Sequence, residues 1–150
     1  MNLTLFDLGL RFVGEIRERP GALDNPFVQW AHSLCGLSAD TPDSVAWCSS
    51  WVNAIAWMLR LPRSKSARAR SWLQVGRPVT LTEAKVGYDV VIFKRGTDHG
   101  PDVIDAPGHV GIYAGWDNDG ILVLGGNQGD TVSVARFSAL ALLGVRRLKE

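Results

Sequence analysis

Residues 108–128 read GHVGIYAGWDNDGILVLGGNQ. The first seven form an apolar run that alternates about glycine. His109, Gly111 and Tyr113 fall on one face of an extended chain, and Val110, Ile112 and Ala114 on the other. Asp117-Asn118-Asp119-Gly120 is a strong hairpin turn, and Ile121 to Leu124 reads as the returning strand. Strands over 109–115 and 121–127 joined by that turn bring His109 and Asn127 to neighbouring positions at the open end of the hairpin. Upstream, Asp89 to Lys94 (DVVIFK) is another strand, rich in β-branched residues, followed by a Gly/Pro/Asp-rich loop from Gly96 to Gly108. Downstream, Thr131 to Ala135 and Val145 to Leu148 read as two more.

The N-terminal half has helical spacing instead. Phe6, Leu10 and Val13 lie at i, i+4, i+7. A turn spans Arg17 to Ala22. Asp24 and Asn25 precede Pro26, a cap followed by a residue suited to the first helical turn. Phe27, Trp30, Ala31 and Leu34 then share a face, and Gly36 can end that helix. Thr41 to Ser44 is a second turn with capping side chains. A third helix is expected over Val45 to Arg60, its apolar face formed by Cys48, Val52, Ile55, Ala56 and Leu59 and its end set by Pro62. A short helical segment covers Ala67 to Leu73. Helices followed by hairpin-linked strands predict an α+β fold, with N-terminal helices packed on an antiparallel sheet.

Composition narrows the class. The 150 residues suit one domain, 1–150, large enough for a real core. Hydrophobic residues at 46% and charged residues at 21% exclude a disordered chain. A net charge of +1 gives no reason to expect a nucleic-acid partner. Two cysteines do not make a disulfide framework, and Cys35 reads as a packed helix residue. No apolar run is long enough to span a bilayer. The Met1 to Val13 stretch lacks a basic start and carries Asp7, so it does not read as a secretory signal. From Arg60 to Arg77 there are six Lys/Arg and no Asp/Glu. That run is either a solvated face or an attraction for anionic polymer.

Three residues carry the candidate chemistry. Cys48 lies near the start of the third helix, where partial positive charge and unpaired N–H groups favour thiolate. Taken alone, it reads first as a small buried core residue. His109 opens the strand of the hairpin, whereas His32 and His99 read as structural or solvated. An Asn127 amide oxygen beside His109 can accept an imidazole N–H and fix the tautomer. Alone, Asn127 is also an ordinary residue for a Gly-rich turn. Trp47 and Trp51 flank the cysteine, and Trp72 follows the basic stretch; such aromatic faces suit sugar rings and peptide stems, or a core. Trp30 and Trp57 are read as core.

The surroundings of these residues resemble a known group. Phe12-Val13-Gly14 with Pro20-Gly21 and Asp24-Asn25-Pro26, Trp47-Cys48-Ser49-Ser50-Trp51-Val52-Asn53, Ala69-Arg70-Ser71-Trp72-Leu73, Asp89-Val90-Val91-Ile92-Phe93, Gly108-His109-Val110-Gly111-Ile112-Tyr113 and Leu124-Gly125-Gly126-Asn127-Gln128 run in order across nearly the whole chain. The ordered set resembles the NlpC/P60 and CHAP superfamily of peptidoglycan amidases and peptidases, and within it the compact branch found in phage endolysins and prophage lysis genes. The resemblance implies a papain-like α+β fold and hydrolysis of an amide bond in bacterial cell wall. Cys48 is then nucleophile, His109 general base and acid, and Asn127 the residue that orients His109. Trp47, Trp51, Trp72 and Gln128 are the expected substrate-binding residues. Many CHAP domains place Glu two residues before the Asn; here that position is Gly125, which leaves Asn127 for the third role. The acidic Ca²⁺ cluster of some CHAP domains is not evident, because Asp40 and Asp43 read as turn and cap residues. No metal and no cofactor is expected.

The expected use is that of an endolysin: a monomer made in the host cytoplasm, released through a separately encoded pore (a holin), acting on peptidoglycan without inserting in a membrane. An interbacterial toxin with the same chemistry is the first alternative. A non-catalytic wall-binding or virion structural module is the second.

Overall fold

A computed structural model describes residues 2–21, 23–96 and 99–150. The expected turn at Arg17 to Ala22 and the loop at Gly96 to Gly108 therefore include positions 22, 97 and 98 that lie outside the described residues. Three α-helices, α1 (Leu5–Leu10), α2 (Pro26–Ser33) and α3 (Cys48–Met58), precede six strands. The strands are β1 (Arg77–Val79), β2 (Asp89–Lys94), β3 (Gly108–Asp117), β4 (Gly120–Gly125), β5 (Ser133–Phe137) and β6 (Leu142–Arg147). They form one antiparallel sheet in the order β1-β6-β2-β3-β4-β5. The expected α+β architecture is the one observed.

Capping side chains start the first two helices. Thr4 and Asp7 exchange side-chain and backbone hydrogen bonds in a capping box at α1. Asn25 Oδ1 accepts from the Phe27 amide at 2.9 Å at the start of α2, with Pro26 at the first helical position. Gly36, at φ +78°, ends that helix as expected, with the Leu37 amide bonded back to the His32 carbonyl.

The third helix starts three residues later than its apolar pattern. Pro42 to Val45 closes a turn, and the Val45 carbonyl is held by the buried His32 ring at 3.2 Å. Trp47 has φ −124° and ψ 14°, so Cys48 becomes the first residue of α3. At the other end Arg60 takes φ +57°, and the Leu61 amide bonds to the Ala56 carbonyl at 2.9 Å. That closure ends the helix before Pro62 is reached. The helix expected over Ala67 to Leu73 is a 3₁₀ segment, Ala69–Gln74.

The sheet is covered on both faces. Trp51, Val52 and Ile55 of α3 share a core with Val90, Ile92, Val110, Ile112 and Leu124. Val91, Phe93, Tyr113, Ile121, Val123 and Val145 form a second cluster on the opposite face, with Phe137 and Leu142 packed against it. Burial on both sides explains why β2 is an unbroken apolar run rather than an alternating one. β1 carries Pro78, which the structure tolerates because β1 is an edge strand. The β3–β4 hairpin turns at Asp117–Gly120 as expected, with a register shift between Tyr113 and Gly115.

Candidate active site

Cys48 is placed by the start of α3. The first turn of a helix has N–H groups without intrahelical partners, and here they lie beside the sulfur. Burial pushes the Cys48 thiol up; the Val110 amide, the Arg95 charge and the backbone N–H groups of Ser49 and Cys48 oppose that shift. β3 pairs with β4 only as far back as Ile112, opposite Leu124, so Val110, which pairs with Ile92 of β2, has no β4 partner and its amide favours the thiolate. The residue before Val110 is His109, so the helix start lies against the start of β3.

A polar network holds this turn in place. Ser49 Oγ donates to the Ser66 carbonyl at 2.6 Å and accepts from Trp72 Nε1 at 2.9 Å. Asn53 Nδ2 donates to the Ser49 carbonyl at 2.9 Å, and Asn53 Oδ1 accepts from the Lys65 amide at 2.8 Å. Ser49 and Asn53 are fully buried, so each bond left unmade would carry a desolvation cost. Cys48, 4% exposed, borders an open cleft of about 450 Å³ whose walls include Arg68, Arg95, Pro107 and Asn127.

His109 is held on three sides. Its Nε2 lies 2.8 Å from Gln128 Oε1. Gln128 Nε2 donates to the Val123 and Ser133 carbonyls at 3.1 and 2.8 Å. Two carbonyl acceptors fix which end of the amide is NH₂, so the end facing His109 is an acceptor. His109 therefore carries its proton on Nε2, and Nδ1 holds the free lone pair. Arg95 Nη2, 3.4 Å from Nδ1, is consistent with that tautomer because a guanidinium can only donate. The Phe137 ring stacks on the imidazole at 4.8 Å and 12°. Burial lowers the His109 pKa to about 4; the Gln128 bond works against that shift and the Arg95 charge adds to it. A buried thiol with a raised pKa and a buried imidazole with a lowered one both rest neutral.

The expected third residue is corrected. β4 ends at Gly125 rather than running on opposite His109, and Asn127 takes φ +59° in the following turn. The Asn127 side chain does not bond to His109; the next residue, Gln128, does. Asn127 borders the cleft beside Cys48 instead. Gly125 makes the exchange possible, because a Cβ there would overlap the Gln128 amide. A Gly-Gly pair followed by two amides was the sequence signal for this, and it left open which amide turns back.

The expected substrate-binding tryptophans are also corrected. Trp47 is 1% exposed and donates its Nε1 to Glu18 Oε1 at 2.9 Å; Trp51 and Trp72 are fully buried. None of the three offers a ring face to the cleft. Gln128, expected to bind substrate, is spent on His109. Trp57, read as core, is half exposed and packs edge-on against Trp30 at 5.5 Å. Part of the basic stretch is structural. Arg70 is fully buried and bonds the carbonyls of His99, Gly100, Val103 and Pro107; Arg63 bonds the Leu34 carbonyl and Arg77 pairs with Glu150. Arg95 was not singled out from sequence. Its signal was register: Lys94 pairs with Gly108, which puts Arg95 at the level of His109's neighbours.

No three His, Cys, Asp or Glu side chains converge among the described residues. Asp43 spends its carboxylate on the Arg19 and Asn25 amides, and Asp40 bonds Ser38.

No protein-family model matches the chain, and no curated protein sequence does. Solved structures do match in shape. NlpC1 from Trichomonas vaginalis superposes with a TM-score of 0.54 at 20% identity over 96% of this chain. The P60 domain of an M. avium subspecies paratuberculosis antigen superposes with a TM-score of 0.53 at 17% identity, over 97% of this chain and 96% of that one. The fold is that of NlpC/P60 domains. The chain spans 42% of the Trichomonas vaginalis protein, which continues beyond the shared domain.

Proposed function

We propose that this NlpC/P60-like chain is a cysteine peptidase or amidase that cleaves an amide bond in the peptide part of peptidoglycan. The observation that carries the reading is the placement of a helix-start thiol, Cys48, against the start of β3, whose second residue is a histidine of fixed tautomer, His109. The fold likeness and the ordered sequence motifs point to cell-wall peptide as the substrate.

The chemistry follows from the tautomer. The Cys48 sulfur attacks the scissile carbonyl carbon while its proton passes to His109 Nδ1. Gln128 Oε1 accepts from Nε2–H and stabilises the imidazolium that forms. Backbone N–H at Cys48 is a donor for the oxyanion. Collapse expels the amine, which leaves with the proton from Nδ1, and a thioester remains on Cys48. Water then gives its proton to Nδ1 as it attacks the thioester carbonyl. The acid leaves, and the thiol recovers its proton.

Purified Gram-negative peptidoglycan digested with wild type and Cys48→Ala, with fragments weighed by mass spectrometry, tests this. Peptide fragments from wild type alone support it, and their masses name the bond. Sugar fragments, or equal release by both proteins, refute it. Use as a phage endolysin is part of the same proposal and rests on the sequence resemblance. Cytoplasmic expression should leave a Gram-negative host intact until its inner membrane is permeabilised; a neighbouring immunity gene would instead assign the chain to toxin delivery.

A further inference from the structure

Among the described residues, Arg95 is the charged group that reaches the lone pair on which the chemistry depends. Its backbone amide bonds the Pro107 carbonyl at 3.3 Å and its Nε donates to the Gly108 carbonyl at 3.1 Å, so the guanidinium is steered along the start of β3. Nη2 then ends 3.4 Å from His109 Nδ1. The side chain is exposed and borders the same cleft as Cys48. While that contact stands, Nδ1 is occupied by an N–H donor and cannot take the thiol proton. A cation does not leave a neutral acceptor for nothing. It leaves for a carboxylate, which it binds with shorter and roughly twice stronger bonds, often two at once. Arg68 lies on the same cleft, 4.0 Å from the Asp105 carboxylate that also lines it.

We propose that Arg95 is a receptor for a substrate carboxylate and a latch on His109: the arriving carboxylate draws the guanidinium off Nδ1 and frees that nitrogen to accept the Cys48 proton. The inference rests on the hydrolase reading for its chemistry and adds a substrate feature to it: a free carboxylate within reach of the scissile amide. Arg95 is here a binding and positioning residue. Its through-space charge favours thiolate and disfavours imidazolium alike, so those effects nearly cancel for proton transfer within the pair. Occupancy of the lone pair does not cancel. The latch thus makes proton transfer conditional on the carboxylate, and a neutral peptide in the cleft meets an occupied base.

Alkylation separates the inference from the function. Iodoacetate and iodoacetamide differ only in carrying a carboxylate or an amide, and the product is read at the Cys48 peptide by mass spectrometry. The wild-type ratio of iodoacetate to iodoacetamide rates should exceed that of 2-mercaptoethanol by about fivefold, as expected for one nearby cation at a partly screened site. Arg95→Gln should return the ratio to that of the free thiol, and Arg68→Gln should leave most of it. Acetate should accelerate the iodoacetamide reaction of wild type at constant ionic strength, with chloride as control, and do nothing to Arg95→Gln. A wild-type ratio equal to the free thiol, a ratio unchanged in Arg95→Gln, or an acetate effect equal to that of chloride overturns the inference while the hydrolase reading stands. A native Cys48 that reacts with neither reagent, when the unfolded chain reacts with both, overturns the two together.

Discussion

Acidification should destabilise this protein through His109. The ring is buried, 1% exposed, and its pKa is lowered to about 4 from an ordinary 6.5. Because the unfolded chain binds the proton first, stability is complete above about pH 6.5 and falls as pH drops through the window from 6.5 to 4. Below that window the folded ring is also protonated and the loss stops growing. At about 1.4 kcal/mol per pH unit, the full gap is worth about 3 kcal/mol, a large part of a typical domain stability of about 5–15 kcal/mol. His32, also lowered by its burial, adds in the same direction. The two separate in a comparison of wild type with His109→Gln, which lacks the titration and can keep a donor toward Gln128. Urea unfolding followed by tryptophan fluorescence at pH 7, 5.5 and 4 should show the difference between the two proteins moving by about 3 kcal/mol in favour of the variant as pH falls. A difference that stays flat across the window would refute the buried neutral imidazole, and with it the tautomer on which the mechanism depends.

The two amides of the β4–β5 turn should behave unequally. Gln128→Ala should reduce kcat by about 10²-fold or more through the loss of His109 orientation, whereas Asn127→Ala should cost about tenfold; equal effects would restore the original assignment of Asn127. Gly125→Ala should lower activity about as far as Gln128→Ala, since the added methyl displaces the Gln128 amide. Full activity in that variant would count against the Gln128–His109 bond. Trp72→Phe should lose about 1 kcal/mol of stability with the bond to Ser49 and leave KM unchanged; a raised KM would return Trp72 to the cleft.

The sheet was legible because its signals are local. DVVIFK, the Asp117–Gly120 turn and the run to Leu124 give three strands within a residue or two of where they lie. β1 was not legible, because only its place at the edge excuses Pro78. The start of α3 was misplaced because the competing bonds come from elsewhere: the His32 ring takes the Val45 carbonyl, and no local pattern reports a partner 13 residues away. Cys48 and His109 stood out by chemistry and position together. The exchange of Asn127 for Gln128 did not, since it depends on where the chain leaves β4 and on space vacated at Gly125. The tryptophans misled for a related reason. Beside a nucleophile an aromatic ring suits a cleft or a core equally, and it is the inward partners of Trp47 and Trp72, Glu18 and Ser49, that settle the matter.

The central claim is a covalent bond between Cys48 and the acyl part of a cell-wall peptide. Digestion of peptidoglycan stopped with acid during turnover, followed by intact-protein and peptide mass spectrometry, looks for that bond directly. The account predicts a mass increase confined to the Cys48 peptide, reversed by hydroxylamine and absent in Cys48→Ala. Turnover without any adduct, persisting in Cys48→Ala, would contradict it.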